Sequence, residues 1–564
     1  MIRLIALDLD GTALNDQKQL SPRTAAALTE ALRRGVVVLP ATGRTISGVS
    51  PEFLALPGVR YALTSNGARV LDLHTGQAVV QRYIPTEQAL QAYDLLRQFD
   101  CTIDAFCDGN AYATAHSLAL YEELADPPLL PYLRARLLVP EMRAFIASQP
   151  HGVEKLTMFF RHEAQRQQAI EAMAALGLAA ASSLPHNLEV NAPGVNKGDG
   201  LLALGQLLGI APHQMMACGD GGNDTAMLTA AGLGVAMGNA MPEVKAAANH
   251  ITADNNHDGV ALAVERFVLD PPQPRLLALD LDGTLLQSDQ TIGPRTEKLL
   301  RQAAAQGIAI VPATGRPISD LPKNLLTLPG VRYVISTNGA LVADLGEDAL
   351  AAARTRWNGG AEPFPAKILA LHPLPDDRAQ AVYACIRNFA CETNCFVNGR
   401  NLVTRADLEL EYERVGPQHR QWADTIHTVV PDIASYLAQH PGQTEKFCFF
   451  FTDMAELQRA RAALSTIEGI EIVQGMPNDL EVNAPGVNKG TALRLLARQL
   501  GLQPEQTLAA GDSGNDLALL DAAGLAVAMR NSTADILRAA DYITTAPCDA
   551  DGLADTLAVF LPGE

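Results

Sequence analysis

Asp8-Leu9-Asp10-Gly11-Thr12 returns in mid-chain as Asp280-Leu281-Asp282-Gly283-Thr284, and four more polar blocks return with it in the same order. Thr42-Gly43-Arg44 recurs as Thr314-Gly315-Arg316, Asn66-Gly67 as Asn338-Gly339, and Asn196-Lys197-Gly198 as Asn488-Lys489-Gly490. Gly219-Asp220-Gly221-Gly222-Asn223-Asp224 recurs as Gly511-Asp512-Ser513-Gly514-Asn515-Asp516. An ordered repeat of this length divides a 564-residue chain into two modules, each large enough for its own core. The first three blocks keep a constant offset of 272 (280 − 8, 314 − 42, 338 − 66), and the last two keep 292 (489 − 197, 512 − 220). About twenty residues have therefore entered the second module between Asn338 and Lys489. The Asp108-Gly109 and Asn398-Gly399 pairs already stand 290 apart, which places the insertion around 347–366.

Each module opens as alternating strand and helix. Leu4–Asp8 is a short apolar run suited to a strand covered on both faces. Ser21-Pro22 supplies a capping hydroxyl and a proline for the first helical turn, and Gly35 ends that helix. Val36–Leu39 and Tyr61–Thr64 read as the second and third strands. After Lys197 the alternation resumes through strands at 215–218, 233–237 and 250–252. This is the pattern of a doubly wound, parallel α/β sheet with its polar blocks at the carboxyl ends of strands, where such sheets bind ligands. Residues 69–190 and 341–482 break the rhythm and hold none of the blocks. Only 32 residues separate Asp10 from Thr42 (42 − 10), too few for a cap, whereas 155 separate Thr42 from Lys197 (197 − 42). An inserted α+β cap is expected in the longer gap. The expected boundaries are module one at 1–268 (core 1–82 and 187–268, cap about 83–186) and module two at 276–564 (core 276–346 and 478–564, cap about 347–477). A Pro-rich linker at 269–275 spans roughly 15 Å and makes the modules near neighbours expected to touch.

A formal charge of −19 disfavours nucleic acid or an anionic membrane surface as partner. No apolar run approaches the ~18 residues of a membrane span, and the first residues lack a signal-peptide pattern. Eight scattered cysteines without Cys-x-x-Cys suit reduced thiols of a cytoplasmic protein.

Two carboxylates two residues apart at a strand end point the same way. One can attack phosphorus; the other can protonate the leaving oxygen and then activate water. Their mutual repulsion calls for a cation, and Asp220 would complete an oxygen site of the kind Mg²⁺ prefers, with Asp224 as outer support. Gly11, Thr42 and Gly43 offer backbone N–H groups and a hydroxyl to phosphate oxygens, and Lys197 adds charge at a helix start. In-line phosphoryl transfer needs mainly such positioning and charge.

These residues in this order resemble the haloacid dehalogenase-like phosphatases, and the Ala-Thr-Gly-Arg, Asn-Gly and Gly-Val-Asn-Lys-Gly wording resembles their Cof-type branch with a C2 cap. The resemblance implies Asp8 and Asp280 as nucleophiles and Asp10 and Asp282 as general acid/base. It implies phosphate contacts from Gly11, Thr42, Gly43, Lys197 and Asn223, and from Gly283, Thr314, Gly315, Lys489 and Asn515. Metal ligands would be Asp8, Asp10, Asp220 and Asp224, with Asp280, Asp282, Asp512 and Asp516 in module two. Arg44, Arg316, Asn66 and Asn338 fall where that family lines its cap-facing cleft. The implied substrates are small phosphorylated metabolites: sugar phosphates first, with pyridoxal phosphate or a flavin mononucleotide also in range. Transfer to another hydroxyl, as in a mutase, and a non-catalytic role for one module are the rival readings.

Some residues stay open between two readings. Lys155 and Lys446 could reach a substrate or sit as surface lysines at a strand edge. Trp357, Trp422, Tyr112 and Phe159 read first as cap packing. Arg530, in a loop where module one has Gly238, could lean toward the cleft or point to solvent.

Overall fold

The computed structural model describes residues 1–124, 130–182, 186–346, 366–416 and 420–561. The chain divides into two compact units, Met1–Pro271 and Pro272–Glu564. The second module's expected insertion at 347–366, with Trp357, lies almost wholly outside the described residues.

In the first unit, Leu4–Leu7 is buried at every position and lies second from one edge of a five-stranded parallel sheet. Val37–Pro40 pairs on one side of it, and Met215–Gly219, Leu233–Ala236 and His250–Ile251 follow on the other. The chain leaves Leu4–Leu7 toward one edge and later returns on the opposite flank. Asp8 and Asp220 therefore end neighbouring strands at the point where strand order reverses, the natural crevice of such a sheet. The helix Pro22–Arg33 begins as its sequence dictates: the Ser21 side chain accepts from Thr24 N and Pro22 opens the first turn. The second unit repeats the sheet with Ala309–Pro312, Leu276–Leu279, Thr507–Gly511, Leu525–Ala528 and Tyr542–Ile543.

Two parts of the sequence reading need correction. Tyr61–Thr64 is not a full member of the core sheet. It pairs antiparallel with Arg69–Asp72, which pairs with Gln77–Gln81, and among the described residues it joins the core sheet by the Ala41–Leu63 bridge alone. Positive φ at Ser65, Asn66 and Gly67 turns the chain back on itself there. A Cβ on Gly67 would come 2.2 Å from Asn196 O, so the bare glycine lets this turn pack on the start of the Lys197 helix. Asn187–Asn191 and Asp479–Asn483, expected in the cores, belong instead to the caps, because each pairs antiparallel with the central cap strand.

Each cap is a six-stranded sheet. In the first unit the order is Ala179–Ala181, Asn187–Asn191, Lys155–Phe159, Asp104–Cys107, Asn110–Ala113 and Leu137–Leu138. Helices Thr86–Leu96, Met142–Ala147 and Glu163–Ala175 bury Leu96, Met142, Ile146 and Met173 against it. In the second unit the order is Glu471–Val473, Asp479–Asn483, Thr444–Phe450, Glu392–Val397, Arg400–Val403 and His427–Val429. Among the described residues no helix is long and apolar enough to cross a membrane.

Candidate active sites

A cleft of about 390 Å³ opens over the carboxyl ends of the first unit's core strands, lined by Asp8, Asp10, Gly11, Thr42, Gly43, Arg44, Asp220, Asn223 and Asp224 from the core. Its counterpart in the second unit, about 550 Å³, is lined by Asp280, Asp282, Gly283, Thr314, Gly315, Arg316, Asp512 and Asn515. The residues separated by up to 216 positions in sequence (224 − 8) are thus brought to one place in each unit.

A single ammonium organises each floor. Lys197 Nζ lies 2.6 Å from Asp8 Oδ1 and 2.6 Å from Asp224 Oδ1; Lys489 Nζ lies 2.6 Å from Asp280 Oδ1 and 2.6 Å from Asp516 Oδ1. Both lysines are fully buried behind the nucleophile candidates, and neither is among the residues lining its cleft. Burial works against their charge, but the two carboxylates overcome it and hold each lysine protonated well above its usual range. Asp224 is spent: Oδ1 takes Lys197, and Oδ2 accepts from Asp220 N at 3.0 Å and Gly221 N at 2.9 Å. It props the loop that aims Asp220. Asp516 does the same for Asp512, with 3.1 Å and 3.2 Å contacts to the N–H groups of Asp512 and Ser513.

Three carboxyl groups converge on each floor. Ligand-capable oxygens of Asp8, Asp220 and Asp224 lie within 4.8 Å of one another, as do those of Asp280, Asp512 and Asp516. One ammonium does not balance three acids. Burial raises Asp8 well above the ordinary carboxylate range despite Lys197, and lifts Asp220 to about 6, with Asp224 adding to the shift. Asp280 and Asp512 behave alike, Asp512 reaching about 6. Such an under-neutralised oxygen cluster fits a divalent cation. Gly11 leaves space beside it: at φ +76° it sits where a Cβ would come 2.4 Å from Asp220 Oδ2, and Gly283 repeats this against Asp512. Thr12 Oγ1 fixes Asp220 by donating to Oδ1 at 2.7 Å.

Asp10 faces basic side chains. Arg44 Nη2 lies 2.5 Å from Oδ2 and Lys18 Nζ 2.8 Å from Oδ1. Burial alone would raise the Asp10 pKa, but these two cations pull it below the ordinary value. Arg316 does the same to Asp282, bonding both oxygens, and Gln290 stands where Lys18 stands in the first unit.

Asn66 and Asn338, expected to line the clefts, lie beneath them. Asn66 Nδ2 donates to Glu189 Oε2 at 2.7 Å and Asn338 Nδ2 to Glu481 Oε2 at 2.5 Å. Asn223 Nδ2 reaches Asn66 Oδ1 at 3.3 Å; in the second unit Asn515 Oδ1 accepts from Ser513 Oγ at 2.8 Å instead. Lys155 and Lys446 are not strand-edge surface residues. They are buried in the central cap strand, Lys155 Nζ bonding Glu189 Oε1 and Gly43 O at 2.7 Å and 2.6 Å, and Lys446 bonding Glu481 and Gly315 O. This Lys–Glu pair tacks cap to core at the cleft-lining Gly43 and Gly315. Glu189 and Glu481 went unread in the sequence, although Leu188–Gly198 and Leu480–Gly490 are identical over all positions, a signal that extends the Asn-Lys-Gly block into the cap. Phe159 lines the first cleft, and Tyr112 packs on Phe145 with centroids 4.2 Å apart. Arg530 faces away from the lining: its Nε donates to Thr544 O at 2.9 Å.

A sequence profile described as haloacid dehalogenase-like hydrolase matches residues 5–264, 277–356 and 357–557. The chain is 31% identical over 269 residues to the 5-amino-6-(5-phospho-D-ribitylamino)uracil phosphatase YcsE of Bacillus subtilis, covering 48% of this chain and 96% of that one. It is 31% identical over 269 residues to the pyridoxal phosphate phosphatase YbhA of Escherichia coli, covering 46% of this chain and 96% of that one. A solved haloacid dehalogenase-like hydrolase from B. subtilis is similar at 28% identity and a TM-score of 0.43, covering 47% of this chain and 100% of that one. Each relative, nearly entire, thus corresponds to about half of this chain.

Proposed function

The chain belongs to the haloacid dehalogenase-like hydrolases and is a phosphatase of that type; from the two clefts we propose that each unit carries its own Mg²⁺-dependent site, hydrolysing phosphomonoesters of small metabolites through an aspartyl-phosphate. The observation that carries the reading is the pair of matching lysine-centred floors, in which Lys197 and Lys489 hold the attacking carboxylate and its supporting acid at the same 2.6 Å.

Lys197 fixes one oxygen of Asp8 and leaves the other for in-line attack on phosphorus. The Asp8 O–P bond forms as the bond to the leaving oxygen breaks, and Asp10 gives that oxygen a proton. A water then surrenders a proton to Asp10 and attacks phosphorus, releasing phosphate and restoring Asp8. In the structure Arg44 and Lys18 keep Asp10 ionised, the form that takes a proton from water; the first step requires these pairs to open as substrate enters. Thr42, Gly43 and Asn223 lie on the lining where phosphoryl oxygens would rest. The ion would be held by Asp8, Asp220 and the Asp10 carbonyl, and by Asp280, Asp512 and the Asp282 carbonyl, where its charge would offset repulsion between nucleophile and phosphate.

Phosphate release from a metabolite panel tests this. Asp8→Asn should leave only second-unit activity, Asp280→Asn only first-unit activity, and the double variant should fall by at least about 10³-fold. EDTA should stop all turnover until Mg²⁺ returns. Turnover surviving in the double variant would remove the aspartyl-phosphate from the mechanism, and faster transfer to added sugar than to water would favour a mutase.

A further inference from the structure

The two cap walls differ where their floors do not. Strand register aligns Ala111 with Asn401 and Asn187 with Asp479, and the helices that follow align Tyr121 with Glu411. On the core rim Gly48 aligns with Asp320 and Lys18 with Gln290, at the same offset as the catalytic blocks. Arg136, the residue before the parallel edge strand, aligns with His427. The second cleft has thus gained Asp320, Glu411 and Asp479 and lost the cations of Lys18 and Arg136. Two changes run the other way: Arg414 is gained, bound by Glu392 at 2.7 Å, and Asp16 is lost, with Ser288 at its position.

Unmet hydrogen-bonding capacity follows the same division. Among the described residues that line the second cleft, the buried polar atoms without a hydrogen-bond partner are two acceptors, Asn401 Oδ1 and Glu411 Oε2. Asn401 is oriented by donating through Nδ2 to Asn394 Oδ1 at 2.7 Å, which leaves its oxygen at the open end of the chain. Glu411 is 2% exposed, and its Oε2 lies 3.3 Å from His427 Nε2 without hydrogen-bond geometry. In the first cleft the corresponding orphan is a donor, Arg136 Nε, on a guanidinium held by Asp104 and Tyr121. A buried orphan costs free energy unless a ligand meets it, so each orphan specifies the complementary group.

Resting on the phosphatase reading above, we propose that the second cleft selects phosphomonoesters whose leaving group is rich in hydrogen-bond donors, an amino-polyol above all, and the first cleft selects leaving groups bearing an acceptor or an anionic group. Burial, reinforced by Glu392, holds Glu411 near 8, and burial with Glu481 holds Asp479 near 6. Both carboxyls thus resist ionising on their own, and a ligand ammonium would supply the charge that turns them into acceptors.

The probes are glucosamine 6-phosphate, glucose 6-phosphate and 6-phosphogluconate, with p-nitrophenyl phosphate as reference, on full-length single-nucleophile variants. In Asp8→Asn the amino sugar should exceed the carboxylate in kcat/KM by at least about tenfold, and in Asp280→Asn the order should reverse. Adding Glu411→Gln, Asp479→Asn or Asn401→Ala to Asp8→Asn should each lower the amine-to-carboxylate ratio at least about threefold. Three independent positions keep the test alive should one variant fail to fold. The same ranking in both single-nucleophile variants, or a ratio untouched by the folded added substitutions, would overturn the inference while release from p-nitrophenyl phosphate upheld the phosphatase. No Mg²⁺-dependent release from any probe would overturn both.

Discussion

The floors and the walls of the two clefts differ to unequal extents. On the floors, Asp8, Lys197, Asp220 and Asp224 meet Asp280, Lys489, Asp512 and Asp516 with the same partners and near-identical distances. On the walls only Phe106/Phe396, Phe159/Phe450 and the Lys–Glu tack persist, while charge and hydrogen-bonding sense change around them. The physical reason lies in what each surface must do. Phosphoryl transfer fixes one arrangement of charges about phosphorus whatever the substrate, so few floor variants work. On the proposed reading the wall meets the leaving group, where a different substrate needs a different set of partners.

The sharpest test of equivalent floors is to remove the ammonium from each. Lys197→Ala and Lys489→Ala would leave two buried carboxylates facing each other without compensation. Loss of one partner from a buried pair costs about 3–5 kcal/mol, so each variant should lower the denaturation midpoint of its own unit and abolish that unit's phosphate release. Equal losses in the two units support matched floors; a unit that tolerates the change would show that its acids are neutralised otherwise.

A wall exchange comes next in size. A Cβ on Gly48 would lie 2.3 Å from Cε2 of Tyr132, whose ring closes one side of the smaller cleft, whereas Asp320 occupies that position in the larger one. Gly48→Asp should push Tyr132 aside and raise KM of the first unit by about tenfold, with kcat less affected. Asp320→Gly, which removes no contact to an aromatic wall, should shift KM of the second unit less. Unchanged KM in Gly48→Asp would mean Tyr132 does not confine substrate.

The Glu411 carboxyl supplies a pH-dependent contrast. Its neighbours are Glu392, Arg414, His427 and Asp320. Burial, with the like charge of Glu392, raises it to about 8, and burial lowers His427 to about 4. A carboxyl with a raised folded-state pKa keeps a proton that the unfolded chain releases at lower pH. Folded stability therefore falls as pH climbs from the ordinary carboxylate range toward 8, and glutamine, which does not titrate, escapes the loss. Glu411→Gln should gain a few degrees of melting temperature over wild type between pH 5 and pH 8. A pH-independent difference would place the charge elsewhere.

Much of this was readable from the residues. The doubly wound core follows from apolar runs such as Leu4–Leu7 spaced by capped helices, and the acid cluster follows from Asp-x-Asp and Gly-Asp-x-x-Asn-Asp at strand ends. What escaped lay in non-local pairing. Asn187–Asn191 resembles any short strand, and only its partner Lys155–Phe159 assigns it to the cap. Lys155 looks like an edge lysine until Glu189 and Gly43 O are found within 3 Å of its ammonium. Asn66 was legible as important but not in role: its positive φ and its bond to Glu189 make it a post under the cleft.

Arg530 gives the smallest expected effect and tests where the cleft ends. In the first unit Gly238 packs so closely that a Cβ would come 2.8 Å from Asp254 N and 3.1 Å from Thr252 O. In the second unit the loop has made room: Arg530 N donates to Thr544 Oγ1 at 2.8 Å and Nε to Thr544 O at 2.9 Å, and the backbone there has no positive φ for glycine to relieve. The guanidinium is thus spent on its own rim rather than offered to an anion. Arg530→Gly should cost about 0.5–1.5 kcal/mol, the worth of the lost side-chain hydrogen bond and its packing. In an Asp8→Asn background KM should not move for singly or doubly charged substrates. Gly238→Arg, the reverse exchange, should cost the first unit more, since its loop must open to admit a side chain. A rise in KM confined to doubly charged substrates in Arg530→Gly would bring this residue into the second cleft.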